Sequence, residues 1–133
     1  MPKPHSLVYD TRFFVEHFYS RDQNILNLTR KEIDASVPKK LVSVIAIHEF
    51  YRLNLERAGR EVSRMRARMI EDAFDVVDVN REIALEAAEL RKRYAVPMGD
   101  GLIAATTKIV GAICVTDDPH IRSIKEIKSR WIL

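Results

Sequence analysis

Cysteine is nearly absent from this sequence: Cys114 is the only one in 133 residues. A single thiol excludes an intrachain disulfide and a cysteine-based zinc site, and it suits a reducing cytosol. Long apolar runs are missing too. Segments 41–47 and 109–115 are the richest in apolar residues, and both are far too short to cross a bilayer. Residues 1–5 carry no apolar stretch of signal-peptide type, so no membrane association and a cytoplasmic location are expected. Glycine is scarce, with four residues. None of them builds a P-loop, a Gly-x-Ser-x-Gly elbow or a GxGxxG fingerprint, which leaves those chemistries without support. No repeat, low-complexity tract or linker divides the chain. Nor is either sign of charge in large excess: 22 Lys and Arg against 19 Asp and Glu leave +3. That balance permits an anionic partner without demanding one.

What is present fits one globular domain over residues 1–133. Apolar residues make up 47% and charged ones 31%, a composition that can close a core. At this length roughly two-thirds of the unfolded chain's surface is buried on folding. Short apolar runs alternate with helical stretches. Strands are expected at 7–9, 41–43, 74–79 and 112–115, with an edge strand at 131–133. Helices are expected at 11–18, 22–31, 44–58, 61–73, from Asn80 to about Tyr94, from after Pro97 to about Val110, and at 121–127. Ser43 and Asn80 have the side chains of N-caps, and Gly59 and Gly111 read as helix stops. Non-alternating apolar strands between helices predict an α/β fold, a mostly parallel twisted sheet with helices on both faces. Ligands of such sheets bind beyond the carboxyl ends of the strands, where strand order reverses. Asp10 and Asp117-Asp118 are both expected on that rim.

Acids stand out by their surroundings. Asp10 ends a buried strand, Glu49 lies among Val44, Ile45, Ile47 and Phe50, and Asp100 interrupts an apolar helix start. A carboxylate in such a stretch is costly unless it is paired, metal-bound or facing a crevice. Gly99 and Gly101 flank Asp100, although each costs about 1 kcal/mol against Ala within a helix; they would let backbone or ligand approach the carboxylate. Each acid also has a structural explanation. Asp10 and Asp100 can cap helices, Glu49 can pair with Arg52 or Arg57, and Asp117-Asp118-Pro119 can be a turn.

Together, the segments Val8-Tyr9-Asp10-Thr11, 43–50 (SVIAIHEF), 99–106 (GDGLIAAT) and Cys114-Val115-Thr116-Asp117-Asp118 resemble the PIN-domain ribonucleases, and most closely the VapC-type toxins of toxin–antitoxin pairs. The order of the motifs and their βα settings agree from residue 7 to about residue 120. The resemblance implies a metal-dependent endoribonuclease that hydrolyses RNA phosphodiester bonds, a cognate antitoxin protein as partner, and a homodimer. It assigns the catalytic, metal-holding acids to Asp10, Glu49, Asp100 and Asp118, with Asp117 as the fallback for the fourth. Thr11 matches the hydroxyl residue that commonly follows the first acid. Two positions depart from the pattern: Ala46 stands where Ser or Thr is frequent, and Gly101 replaces the more usual Ala.

The chemistry of such a cluster agrees with metal use. Two carboxylates about 5 Å apart repel by roughly 3 kcal/mol at an effective dielectric near 20, so four must protonate or hold cations. Oxygen ligands suit Mg²⁺ or Mn²⁺. The histidines, His5, His17, His48 and His120, show no paired metal-ligand spacing. Between residues 52 and 68 six arginines face two glutamates, which reads either as a phosphate-contacting wall or as a solvated helix pair. Met65, Met69 and Ile70 interrupt them as a stripe suited to the core or to a partner helix. Phe13, Phe14, Phe18 and Tyr19 read mainly as core. Two rival functions remain at this stage: a catalytically silent PIN-like interaction or RNA-processing domain, and a receiver-like signalling module. A receiver wants an acidic pair after the first strand and a lysine after a late one, and neither is present.

Overall fold

The computed structural model describes residues 6–133; His5 lies outside the described residues. The elements run β1 (Leu7–Tyr9), α1 (Thr11–Tyr19), α2 (Gln23–Asp34), β2 (Lys40–Ser43), α3 (Val44–Ala73), β3 (Asp75–Val77), α4 (Arg81–Tyr94), α5 (Met98–Val110), β4 (Ile113–Val115), α6 (Pro119–Arg122) and β5 (Lys128–Arg130). Their boundaries follow local chemistry. Ser43 accepts a hydrogen bond from the Ile45 N–H, and Asn80 accepts one from Ile83 N–H, so both act as N-caps. Gly111 ends α5 at φ 69°, in the left-handed region open to glycine. Gly59 (φ 81°, ψ 174°) breaks the helical geometry inside α3. It separates two helical segments as expected, but the second resumes without a loop.

Among the described residues the five strands are all parallel, in the order β3-β2-β1-β4-β5. Central β1 pairs Val8 with Leu41 on one side and Cys114 on the other. The chain moves outward from β1 to β3, then crosses back to β4 and continues to β5. Right-handed crossovers running in opposite directions put their helices on opposite faces. Strands buried on both faces are apolar throughout, as β1 is. One apolar cluster joins the strands to α1 and α3 through Phe13, Phe14, Phe50 and Phe74. A second gathers Ile83, Ala87 and Leu90 of α4 with Ala104 and Ala105 of α5 and with Ile124. Strand order reverses between β1 and β4, and the crevice there faces the segments that follow both strands.

Three expectations are corrected near the edges. The strand expected at 74–79 shortens to Asp75–Val77, because Phe74 serves as the C-cap of α3 and packs into the core. The helix expected at 121–127 is instead Pro119–Arg122, started by the Asp118 side chain and closed at Ser123. The edge strand lies at Lys128–Arg130 rather than 131–133. Edge pairing runs through backbone groups, so it does not need the apolar side chains of Trp131 and Ile132.

Candidate active site

Asp10 leaves β1 as the N-cap of α1, 2% exposed. Its Oδ1 accepts the Thr11 N–H at 2.7 Å and its Oδ2 accepts the Thr116 hydroxyl at 2.7 Å. Thr11 then turns its own hydroxyl to Glu49 Oε1, also at 2.7 Å. Thr116, fully buried after β4, accepts the Asp118 N–H at 2.9 Å. Two threonines therefore tie three acids together: Thr11 links Asp10 to Glu49, and Thr116 links Asp10 to Asp118. Asp100 arrives from the first turn of α5, whose N-cap is Pro97 with no side-chain cap. Asp100 is thus not the cap of its helix.

The acids feel one another. Burial pushes the Asp10 carboxyl up to about 7, against the pull of the Thr116 and Thr11 hydrogen bonds, and the negative charges of Asp100 and Asp118 add to the rise. Burial also raises Asp100, to about 6, helped by Asp118 and Glu49. Among the described residues, the ion pairs of the molecule run elsewhere and none reaches these four carboxylates. Glu49 in particular pairs with neither Arg52 nor Arg57; Arg57 lies over the Tyr19 ring at 5.1 Å. One buried carboxylate and three half-buried ones, with oxygen lone pairs to spare, are the donor set of a hard divalent cation, and the residues fit one.

Neighbouring residues sort by the same geometry. Asp117 turns away to Arg12, which grips it with two hydrogen bonds of 2.8 and 3.1 Å. Asp118 stays on the acidic side and caps α6 through the His120 N–H. A Cβ on Gly99 would overlap Glu49 Oε2, so glycine is what lets Glu49 lie against α5. Gly101 does something else. A Cβ there would meet Arg91 Cγ at 2.6 Å, so its absence serves the packing of α4 on α5 and not the acids. Ala46 is buried and offers Glu49 no hydroxyl; Thr11 supplies that bond instead.

Arginines of α3 divide in two. Arg66 stacks on Phe18 and Tyr19 at 5.2 and 5.0 Å and donates to buried Asn54 Oδ1 at 2.8 Å, a structural role shared with Arg57. Arg52 instead lines a cleft of about 510 Å³ that opens directly beside Glu49, with Ile45, His48, Met98, Gly99 and Leu102. Sequence reasoning passed over His120. Its ring lies with Asp100 and Asp118, ligating atoms of all three within 4.8 Å of one another. The signal available was the Asp-x-His spacing directly after β4.

The chain matches the PIN domain over residues 7–127. Its fold is similar to that of the DNA-bound VapBC from Salmonella typhimurium, at 17% identity and TM-score 0.80 over 97% of this chain and 99% of that one. It is also similar to VapBC2 from Rickettsia felis bound to a promoter DNA fragment (14%, TM-score 0.77, 95% and 98%). A third likeness is to VapC20 of Mycobacterium tuberculosis, a sarcin-ricin loop cleaving toxin (16%, TM-score 0.74, 92% and 98%). At these identities the likeness is one of fold. No curated protein matches the chain.

Proposed function

The chain belongs to the PIN domain family, and from that premise we propose that it is a divalent-metal-dependent endoribonuclease, the toxin of a VapBC-type pair acting in the cytoplasm. The observation that carries this reading is the set of four carboxylates near the point where strand order reverses, none of them in an ion pair among the described residues. Asp10, Glu49, Asp100 and Asp118 would hold one or two Mg²⁺ or Mn²⁺ ions. Bound there, such ions neutralise charge between acids and phosphate and lower the pKa of bound water.

The chain's own residues prepare the rest. Thr11 and Thr116 hold the carboxylates of Asp10 and Glu49 in fixed orientations, so little reorganisation is left for the moment of binding. Arg12, half exposed and clamped on Asp117, puts a guanidinium at one margin of the acidic pocket. Arg52 puts another in the cleft beside Glu49. Cations near an anionic centre suit a phosphodiester chain passing across it, and the Met98–Leu102 side of the cleft gives a base an apolar surface. For the antitoxin, an apolar groove of about 320 Å³ lined by Phe14, Phe18, Ile33, Met69 and Phe74 offers a seat for a helix. Nearby Met65 is exposed. Relatives solved with antitoxins and DNA support the pairing, and a homodimer is part of the same reading.

The test is cleavage of single-stranded RNA with Mn²⁺, with melting curves alongside. Asp100→Asn should lower cleavage by roughly 100-fold or more while the fold persists. Asp118→Asn should follow it, whereas Asp117→Asn should retain most activity. Full cleavage by Asp100→Asn would sink the mechanism.

A further inference from the structure

We propose that His120 is a nitrogen ligand of the bound ion, which makes the site discriminate in favour of Mn²⁺ over Mg²⁺. The inference rests on the metal-binding reading of the carboxylate pocket and adds a donor that an all-acid site lacks.

Geometry carries it. A ring nitrogen of His120 and one carboxylate oxygen each from Asp100 and Asp118 lie within 4.8 Å of one another. Donor atoms this close would need only small side-chain rotations to hold one divalent ion between them. The ring also draws the Asp100 carboxyl down by its charge. His120 is bonded through its backbone, its N–H to Asp118 Oδ1 and its carbonyl to the Ser123 hydroxyl. Among the described residues no side chain hydrogen-bonds to the ring. His120 is exposed while Asp100 and Asp118 are half-buried, so the ring stands on the solvent side of the two carboxylates.

The four acids are not equally free to serve this ion. Both oxygens of Asp10 and one of Glu49 already accept hydrogen bonds from threonines or backbone. Among the described residues no side chain or cap donates to Asp100, and Asp118 uses Oδ1 for the His120 N–H, which leaves Oδ2. The least committed donors therefore converge at Asp100, Asp118 and His120. An imidazole in that set changes selectivity. Mg²⁺ is hard and gives up its waters reluctantly for nitrogen, whereas affinity of mixed nitrogen–oxygen sites rises along the first-row divalent ions.

Calorimetric titration of the full chain with Mn²⁺ and with Mg²⁺, and pulsed electron paramagnetic resonance of the Mn²⁺ form, test this. Wild type should show coupling of Mn²⁺ to a nitrogen nucleus, lost in His120→Ala and kept in His48→Ala. The same His120→Ala change should weaken Mn²⁺ by about tenfold, and Mg²⁺ by less than about twofold. Because the ring is exposed, metal-free melting should show His120→Ala folded. Bound Mn²⁺ without nitrogen coupling, or coupling that survives His120→Ala, overturns the assignment and leaves the carboxylate site standing. Failure of both ions to bind wild type overturns both.

Discussion

Asp10 combines two roles that look exclusive in the sequence. It caps α1 and it contributes negative charge to the pocket, because a buried acid with two donors can do both. The burial has a consequence for pH. In the metal-free protein Asp10 is raised to about 7 from an unfolded value near 3.8. Between these values the unfolded chain releases a proton that the folded chain keeps, so stability falls as pH rises from about 4 through 7. Asp100, raised to about 6 and more exposed, adds in the same direction. Denaturant melts in chelator should therefore show a protein less stable at pH 8 than at pH 5.5. Asp10→Asn should flatten that slope and stabilise the metal-free form at pH 8 by on the order of 1–3 kcal/mol. A slope unchanged by the substitution would show that Asp10 is not the group responsible.

Among the elements, α3 has the most consequential shape. Its first segment begins at Ser43, presents Glu49 to the pocket and Arg52 to the cleft, and buries Phe50. Its second segment returns Ile70 and Phe74 to the core and exposes Met65 and Met69. Gly59 makes both possible by breaking the helix at φ 81°, ψ 174°, a conformation nearly restricted to glycine. A Cβ at this position meets nothing within 4 Å, so the cost of Gly59→Ala is purely one of backbone conformation. The substitution should destabilise the protein by about 1–3 kcal/mol in chemical denaturation, with cleavage per folded molecule retained. Undiminished stability would mean that the two segments can merge into one straight helix.

At the scale of the whole molecule, the acidic pocket and the apolar groove are built from different parts of the fold. The pocket sits beyond β1 and β4, and the groove lies among α1, α2 and the second segment of α3. The two surfaces that the proposed reading assigns to substrate and partner are thereby separable by mutation. Met69, 47% exposed, is the residue to change. Met69→Glu puts a charge into the groove without touching the core, and on the proposed toxin reading it should abolish binding of the neighbouring encoded protein, and its relief of growth inhibition, while RNA cleavage in vitro persists. If the neighbouring protein neither binds wild type nor relieves inhibition, the toxin reading fails and the nuclease reading survives. Of the rival functions, the receiver-like module is set aside by the family match over residues 7–127.

Local chemistry was enough to determine the order of elements, because it is written in caps, helix stops and apolar runs that act over a few residues: Ser43, Asn80, Gly59 and Gly111 mark boundaries wherever the rest of the chain goes. The parallel sheet followed from strands apolar on both faces. The edges were less legible, since β5 is held by backbone pairing with β4 and carries Lys128 and Arg130 in place of apolar residues. Within the site, the sequence could nominate Asp10, Glu49, Asp100 and Asp118, but not how their lone pairs are used. That depends on bonds between residues far apart in the chain: Thr11 to Glu49, Thr116 to Asp10, and Arg12 drawing Asp117 aside. Glycine roles were equally hidden, since Gly99 makes room for Glu49 and Gly101 for Arg91. Only packing decides what each side chain meets, and so only the tertiary structure could turn His120 from one scattered histidine into a neighbour of two carboxylates.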